Sequence, residues 1–465
     1  MKAKERVIFM EVVAKHGGEV FEISEKIGLS PESIIDFSSS SNPYGPPPRV
    51  LESIKNSLPY VRFYPSRTHR KLRERIASYV GVEPDGIILG CGSTELIHSI
   101  LARFVRGPVI LPLPLFSEYE AAAVALGLEI RFIKPHGRRL NLDDAIETLR
   151  RESSGCVVVC NPNNPTGEVL EARKLMELVE AARETKTTVI VDEAYYEMSE
   201  GATTLVRMTR DFSNLFVLRS LTKPFGFPGL RVGYGVCHPS VAEKFESTAI
   251  SWRVGVLEEA AALSALEERE FLRWSKERIF SEKSRLFREI GTIEGLLPLP
   301  SGANFFMIDL SKSGFSPANL KWRLLSYGVL VRELSSVKGL FGPYLRISVR
   351  REHENEVLVT ALRNLTFSLK EMYPNNPVCA ERKCHREVED CRLCFCPFYP
   401  CLDKATGGRF VEKGGGHVWS CQECLWVHRK EVAESIVKEL SEIDPGSSDP
   451  EKLLAVRKSL LEVPT

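Results

Sequence analysis

Short apolar runs separated by longer charged segments mark the first half of the chain. Each run suits a buried strand and is too short for a helix, whereas the intervening segments have helical length. The runs fall at residues 86–90, 109–111, 156–160, 187–191 and 215–218. This alternation predicts a mostly parallel β-sheet with helices on both faces.

The pattern changes after about residue 263. A long charged helix is predicted at 267–291, and a closing helix at 352–372. Apolar strands are predicted between them, at 303–309, 329–332 and 344–349. This mixture is typical of a smaller α+β domain.

The chain has 465 residues, which is enough for two or three packed domains. Prolines and glycines at 34–48 and at the linker 374–377 interrupt regular structure. We therefore predict four parts: an N-terminal arm and helix (1–40), a large α/β domain (41–262), a small α+β domain (263–373) and a cysteine-rich C-terminal region (374–465).

The charge balance argues against several classes of partner. The chain carries 62 basic and 61 acidic residues, a formal net charge of +1, so no global field attracts nucleic acid or an anionic membrane. No apolar run approaches the length of a membrane span. Residues 1–15 mix Lys, Arg and Glu with apolar residues, which predicts no signal peptide. We expect a cytoplasmic protein.

The segment after the run 215–218 carries the strongest candidate chemistry. Lys223 lies just past the end of that predicted strand, where open α/β sheets bind their ligands. A lysine that is desolvated or lies beside another cation can lose its proton and attack a carbonyl. Ser220, Thr222 and Arg231 supply hydroxyl and guanidinium donors that suit a phosphate. An amine nucleophile beside phosphate donors indicates pyridoxal phosphate held as a Schiff base.

Two other turns after predicted strands offer cofactor contacts. Gly92, Ser93 and Thr94 open a helix, and the free N–H groups at a helix N-terminus bind anions. Phe116 follows the run 109–111, where its ring could stack on a cofactor ring or simply fill the core.

The next two predicted strands end in polar side chains. Asp192 could pair with a pyridine nitrogen and keep it protonated, which makes the ring an electron sink. Tyr195 lies three residues later, and Asn164 in the loop Asn-Pro-Asn-Asn-Pro-Thr-Gly could reach a ring hydroxyl. The alternative interpretations are a helix N-cap for Asp192 and a surface position for Tyr195.

Substrate contacts are expected from other segments. Asn42, in the rigid arm, could close over an active site. Arg332 and Arg346 lie on predicted strands, where their guanidinium groups could bind anionic substrate groups in bidentate fashion or could be surface residues.

The order Ser-x-x-Lys-x-x-x-x-Pro-Gly-x-Arg-x-Gly-Tyr at 220–234 resembles the cofactor-lysine segment of fold-type I aminotransferases. The resemblance covers about residues 15–370 and is closest to histidinol-phosphate aminotransferases and threonine-phosphate decarboxylases. Segments similar to the decarboxylases are His16-Gly-Gly, 35–47, 114–120, 329–340 and 344–350. The implied fold is a large, mostly parallel sheet domain with a small α+β domain, here followed by a small cysteine-rich domain.

The resemblance also implies residue roles. Lys223 would hold the cofactor, Asp192 would pair with the ring nitrogen, and Phe116 would stack on the ring. Asn164 and Tyr195 would bond to the ring oxygen, and Tyr195 joins Lys223 and Asp192 as an implied catalytic residue. The cofactor phosphate would be held by Gly92, Ser93, Thr94, Ser220, Thr222, Arg231 and, across a homodimer, Tyr64 of the partner subunit. Substrate contacts would come from Asn42, Asn164, Asn304, Arg332 and Arg346.

Two reactions fit this resemblance. Decarboxylation would convert L-threonine O-3-phosphate into (R)-1-aminopropan-2-yl phosphate for the linker of cobalamin. Transamination of histidinol phosphate or a similar amine is the alternative, and the sequence does not show how the substrate is oriented. A third reading keeps the fold as a regulator that senses ligands through its C-terminal region.

Eight of the twelve cysteines lie in the last ninety residues. In a cytoplasmic chain such a cluster indicates a metal before disulfides. Two Cys-x-x-Cys pairs suit zinc, whereas the Cys-Pro run at 396–397 is typical of iron–sulfur ligation. The predicted ligands are Cys379, Cys384, Cys391, Cys394, Cys396, Cys401, Cys421 and Cys424.

The role of this region is open at the level of sequence. One hypothesis is that it contributes threonine kinase activity or docks a kinase, although no Gly-x4-Gly-Lys-Ser/Thr loop is present. Nucleic-acid binding is a competing interpretation that the mixed charges of 379–430 disfavour.

Overall fold

The computed structural model describes residues 16–151, 155–371, 408–413 and 416–420, together with positions 426 and 432. Its helices are α1 Val20–Ile27, α2 Pro48–Ser57, α3 Arg70–Val80, α4 Gly92–Phe104, α5 Ser117–Ala125, α6 Leu142–Arg151, α7 Ala172–Glu184, α8 Pro239–Thr248, α9 Val256–Ala265, α10 Arg269–Gly291, α11 Pro317–Leu325 and α12 Glu352–Glu371. Its strands are β1 Ile35–Asp36, β2 Ile87–Gly90, β3 Val109–Pro112, β4 Ile130–Ile133, β5 Cys156–Cys160, β6 Thr188–Asp192, β7 Leu215–Ser220, β8 Gly233–Val236, β9 Leu297–Pro298, β10 Phe305–Asp309, β11 Val329–Leu330, β12 Arg332–Glu333, β13 Tyr344–Ser348, β14 Arg409–Lys413 and β15 Gly416–Ser420.

A seven-stranded sheet with the order β2-β8-β7-β6-β5-β3-β4 forms the centre of the large domain. All its strands run in one direction except β8, which is antiparallel to both β2 and β7. The predicted α/β fold with a mostly parallel sheet is confirmed. The sheet is mixed because β8 returns antiparallel beside β7 after the segment that contains Lys223.

Both faces of this sheet are buried, which explains why its strands read as continuous apolar runs. In β5, Val157 and Val159 pack on one core cluster, whereas Cys156 and Val158 pack on the other. Helices α2, α3, α6, α7 and α9 contribute to the first cluster, and α4, α5 and α8 contribute to the second. The carboxyl ends of the parallel strands therefore open at one edge between two layers of helices.

The second domain contains the four-stranded antiparallel sheet β12-β13-β10-β9, covered by α10, α11 and α12. The strand predicted at 329–332 is split in the structure. Val329 and Leu330 pair in parallel with Ile35 and Asp36 of the N-terminal arm. The chain then changes sheet, so that Arg332 pairs with Arg346. Two arginines from different strands are thereby brought side by side.

A buried ion-pair network joins β6 to β7 behind the site. Arg219 of β7 donates from Nε and Nη2 to Glu193 Oε2 at 3.0 and 2.9 Å, and from Nη1 to Glu197 Oε1 at 3.0 Å. Its guanidinium also lies 4.0 Å from the centroid of the Tyr196 ring. Because Glu193 follows Asp192 and Arg219 precedes Ser220, this network fixes the two strand ends that carry the site.

The C-terminal region is described through one antiparallel hairpin, β14–β15. The buried Trp419 donates its backbone N–H to Ser326 O at 2.5 Å, so the hairpin packs where α11 ends. The eight predicted metal-binding cysteines lie outside the described residues. Within the described ranges, no group of three His, Cys, Asp or Glu side chains could hold a metal ion, and no helix is long and apolar enough to cross a membrane.

Candidate active site

A cavity of about 890 Å³ lies at the carboxyl edge of the large sheet, between that sheet and β12–β13. The topology explains much of its lining, because residues that follow five strands line it, namely the segments after β2, β3, β5, β6 and β7. The predicted residues that line it are Ser93, Thr94, Phe116, Asn164, Asp192, Tyr195, Ser220, Thr222, Lys223, Arg231, Arg332 and Arg346. Side chains far apart in sequence are thus collected around one space.

Lys223 is a partly buried cavity residue in the turn after β7. Desolvation, reinforced by the positive charges of Arg346 and Arg231, lowers the pKa of its amine to about 8, although Asp36 and Asp192 act in the opposite direction. Its backbone carbonyl accepts a hydrogen bond from Asn42 N at 2.9 Å. The site therefore holds an amine of which about one tenth is neutral at pH 7, a far larger share than in an ordinary lysine.

Asp192, at the end of β6, is a buried carboxylate with two defined donors. Its Oδ1 accepts from Ala194 N at 3.0 Å, and its Oδ2 accepts from the Tyr119 hydroxyl at 2.8 Å. Burial raises the pKa of Asp192, while the hydrogen bonds from Tyr119 and Ala194 and the charge of Lys223 lower it. The carboxylate is positioned to receive a cationic N–H group.

Donors for an anion gather at the N-terminus of α4. Ser93 and Thr94 open this helix beside Arg231, and the Ser220 Oγ and Thr222 Oγ1 atoms lie 2.7 Å apart. Gly92 has φ +75°, and a Cβ there would lie 2.6 Å from Nη2 of Arg231. A side chain at position 92 would collide with that guanidinium, so glycine allows the arginine to approach the helix N-terminus.

The remaining walls are aromatic and amide side chains. Phe116 makes an edge contact with Tyr119, with ring centroids 5.6 Å apart. Burial raises the pKa of Tyr195 to about 12, against the charge of Arg346, so Tyr195 keeps its proton. Asn164 Oδ1 accepts a hydrogen bond from Arg346 Nη1 at 2.6 Å, which leaves the Nδ2 amide N–H groups available to a ligand oxygen.

Arg332 and Arg346 lie at the end of the cavity formed by the small domain. Arg346 donates from Nη1 to Asn164 and from Nη2 to Ser38 O at 2.5 Å, and its buried Nε finds no hydrogen-bond partner among the described residues. Arg332 donates to His16 O at 2.9 Å. Burial lowers the pKa of both guanidinium groups, and the charge of Arg346 lowers that of Arg332 further. An anionic ligand would relieve this repulsion.

Besides Gly92 at the start of α4, three predicted contact residues do not line the cavity. Asn42 is buried and donates from Nδ2 to Pro224 O and Ser275 Oγ, both at 2.8 Å, so it supports the lysine turn from behind. Asn304 is also buried and donates to Ser40 O at 3.1 Å. Tyr64 lies on the surface, where it stacks on Trp252 with ring centroids 4.6 Å apart. Within this chain none of the three lines the cavity.

Several cavity residues were missed by the sequence interpretation. At the mouth, Glu118 accepts from His16 at 2.6 Å and lies 3.6 Å from His98, and these imidazoles lower the pKa of its carboxyl group. Lys338 forms an ion pair with Glu120 at 2.5 Å on another side. Tyr119 follows Phe116 by three residues, and this helical spacing could have predicted that both side chains lie on the same side of the cavity. Its hydrogen bond to Asp192 depends on tertiary packing.

The residues present fit pyridoxal phosphate. A depressed-pKa amine, a buried carboxylate with room for a cationic partner, and an arginine beside a helix N-terminus match its aldehyde, its ring nitrogen and its phosphate. The fold and the site together define a fold-type I, pyridoxal-phosphate-dependent enzyme.

Comparisons with known proteins agree. A family model described as aminotransferase class I and II matches residues 32–362, and a second, described as a cysteine-rich small domain, matches 371–447. The chain belongs to the class I and II aminotransferase family.

Individual relatives carry two different names. Histidinol-phosphate aminotransferase 2 of Archaeoglobus fulgidus is 34% identical over 345 residues, covering 73% of this chain and 96% of the relative. A protein named "Putative threonine-phosphate decarboxylase" from Caldanaerobacter subterraneus subsp. tengcongensis is 32% identical over 356 residues, covering 76% and 94%. The crystal structure of histidinol-phosphate aminotransferase from Clostridium acetobutylicum superposes with a TM-score of 0.66 at 27% identity, covering 71% of this chain and 99% of that one.

Proposed function

We propose that this enzyme decarboxylates L-threonine O-3-phosphate to (R)-1-aminopropan-2-yl phosphate and carbon dioxide, a step in making the aminopropanol linker of cobalamin. The observation that carries the proposal is the pair of arginines at one end of the cavity, the buried Arg346 and the partly buried Arg332. A substrate with both a carboxylate and a phosphate would pair with both guanidinium groups. The relative named as a threonine-phosphate decarboxylase supports the same substrate class.

Each residue would have a definite task in this reaction. When bound, pyridoxal phosphate withdraws electrons from the Cα bond that stands perpendicular to its ring. Asp192 would hold the ring nitrogen, and Arg231 with Ser93, Thr94, Ser220 and Thr222 would hold the phosphate. Lys223, which is mostly protonated at pH 7 when its pKa is about 8, would deliver a proton to Cα after loss of carbon dioxide. The two arginines would place the carboxylate perpendicular to the ring.

Transamination of histidinol phosphate is the second candidate. It is favoured by the 34% identical relative from Archaeoglobus fulgidus, which covers a comparable share of this chain. In that reaction a single phosphate would span the two arginines, and the bond perpendicular to the ring would be Cα–H. The same residues serve both reactions, so substrate orientation decides between them.

A paired assay distinguishes the two candidates. One tube contains the cofactor-loaded enzyme with threonine O-3-phosphate and is assayed for carbon dioxide. The other contains histidinol phosphate with 2-oxoglutarate and is assayed for glutamate. We expect carbon dioxide in the first tube and no glutamate in the second. Glutamate without carbon dioxide would overturn the proposal in favour of transamination.

We also propose that the enzyme is a homodimer. Exposed apolar side chains cluster in the segment between α2 and α3 and around Trp252, and Tyr64 is 80% exposed. Patches of this kind mark protein–protein contacts. We expect sedimentation to give twice the chain mass, and we expect Val61→Glu to shift the protein toward monomers and to weaken cofactor binding. A monomeric parent enzyme with full cofactor affinity would contradict the proposal and the role of Tyr64.

For the cysteine-rich region, we propose that the eight cysteines bind metal, in a number that could fill two four-sulfur sites, with zinc preferred to an iron–sulfur cluster. The matching cysteine-rich family model supports this assignment. Elemental analysis of protein purified without added metal should find zinc at a fixed ratio to the chain. Bound iron with visible charge-transfer absorbance would show that the metal is an iron–sulfur cluster and not zinc. A metal-free protein would contradict the proposal of metal binding.

The hypothesis of threonine kinase activity or kinase docking is kept only as a secondary possibility for the same region. Its measurement is ATP-dependent phosphorylation of threonine by the full-length chain. If no threonine O-3-phosphate forms in the presence of ATP and Mg²⁺, the hypothesis of intrinsic kinase activity is rejected.

A further inference from the structure

Tyr119, the buried tyrosine of α5, makes a polar contact in addition to its packing in the core. Tyr119 is 1% exposed, and its hydroxyl donates to Asp192 Oδ2 at 2.8 Å. Tyr119 also lies edge-on to Phe116, with an angle of 85° between the rings. It therefore touches both the carboxylate and the aromatic wall of the cavity.

The other contacts of Asp192 show how much depends on this hydroxyl. Oδ1 accepts from Ala194 N at 3.0 Å, and the charge of Lys223 acts from the turn after β7. On the side of β5 lies the Cys160 thiol, whose pKa burial raises, so it stays neutral. Tyr119 is therefore the side-chain hydroxyl that stabilises the Asp192 anion, and its proton is held because burial and Asp192 raise its own pKa.

We propose that Tyr119 is a positioning residue that keeps Asp192 ionised and fixed in orientation for the ring nitrogen of the cofactor. The hydroxyl holds Oδ2, and the Ala194 N–H holds Oδ1, so the carboxylate cannot rotate freely about its χ2 angle. A charge-assisted hydrogen bond in a buried site favours the anion over the neutral acid. This inference rests on the proposed pairing of Asp192 with the ring nitrogen.

Tyr119→Phe removes the hydroxyl while retaining the ring that packs on Phe116. Without it, the Asp192 carboxylate becomes more basic, and the shared proton moves from the ring nitrogen toward the carboxylate. We expect the dissociation constant of pyridoxal phosphate from the apoenzyme to rise about 10-fold. We also expect the nitrogen-15 NMR shift of ring-labelled cofactor in the holoenzyme to move toward the value of an unprotonated pyridine.

A double-mutant cycle separates this role from packing. In an Asp192→Asn background, Tyr119→Phe should produce no further change in cofactor affinity, because its partner is already neutral. Tyr79→Phe is the control for loss of a hydroxyl from a tyrosine that packs on the other core cluster of the large domain, and it should leave both measurements unchanged. Equal effects of Tyr119→Phe with and without Asp192 would overturn the proposal.

The same measurements also show where a failure lies. If Asp192→Asn alone leaves the nitrogen-15 shift at the protonated value, the pairing of Asp192 with the ring nitrogen fails, and the role of Tyr119 fails with it. If Asp192→Asn moves the shift but Tyr119→Phe moves neither the shift nor the affinity, the pairing stands and Tyr119 only fills space.

Discussion

Replacement of Lys223 by alanine is expected to abolish turnover, with a loss of at least about 10³-fold, and to prevent covalent attachment of the cofactor. Lys223 supplies the amine that lies inside the cavity, and its pKa is lowered to about 8. The measurement is borohydride reduction of the cofactor-loaded protein followed by peptide mapping. In the parent enzyme the label should fall on Lys223, and in the variant no lysine should carry it.

The depressed pKa adds a pH dependence to this prediction. At pH 7 about one tenth of an amine with a pKa of 8 is neutral, compared with roughly one part in 2,500 at an ordinary lysine pKa of about 10.4. Only the neutral amine attacks an aldehyde. The rate of cofactor attachment to the apoenzyme should therefore rise from pH 6 and level off above about pH 8.

Lys283→Ala is the matched control for this experiment. Lys283 is a buried lysine whose pKa is likewise lowered by burial, but it donates to Ser301 O in the small domain and does not line the cavity. Its loss should leave the label on Lys223 and the attachment profile unchanged. A label that persists in Lys223→Ala, or a profile that levels off only near pH 10, would show that another lysine binds the cofactor.

The large domain was predictable because its strands are short, apolar and buried on both faces. β5 shows this most clearly, since all five of its residues are buried. The edge strand β4 was missed because Arg131 interrupts it and its outer face is exposed. The split between β11 and β12 was also missed, because Leu330 and Arg332 belong to different sheets and local hydropathy carries no record of their pairing partners.

The cavity residues also divide into those whose position was predictable from the sequence and those whose contacts were not. Asp192 and Lys223 each follow a predicted strand, so topology alone brings them to one edge of the sheet. Asn42 and Asn304 were predicted to contact the substrate. In the structure their side-chain amides instead donate to backbone carbonyls of neighbouring segments. The bond between Tyr119 and Asp192 joins residues 73 positions apart, and only tertiary packing determines it.

Arg346→Gln is expected to weaken binding of threonine O-3-phosphate on the order of 10²- to 10³-fold. Its side chain is 6% exposed and retains an Nε–H group without a partner among the described residues. Arg346 is also the charge that contributes most, after burial, to the lowered pKa of Lys223, so it lies close to the reacting amine. We therefore expect Arg346 to bind the carboxylate on Cα and Arg332, which contacts His16 at the mouth, to bind the phosphate.

Binding of three ligands to each variant tests this assignment without depending on turnover. Dissociation constants for threonine O-3-phosphate, threonine and inorganic phosphate are read from the absorbance of the bound cofactor. Arg346→Gln should weaken threonine and its phosphate ester by similar factors, because both carry the carboxylate. Arg332→Gln should weaken the ester and inorganic phosphate but leave threonine nearly unchanged. The reverse pattern would exchange the two roles and place the phosphate, in place of the carboxylate, beside Lys223.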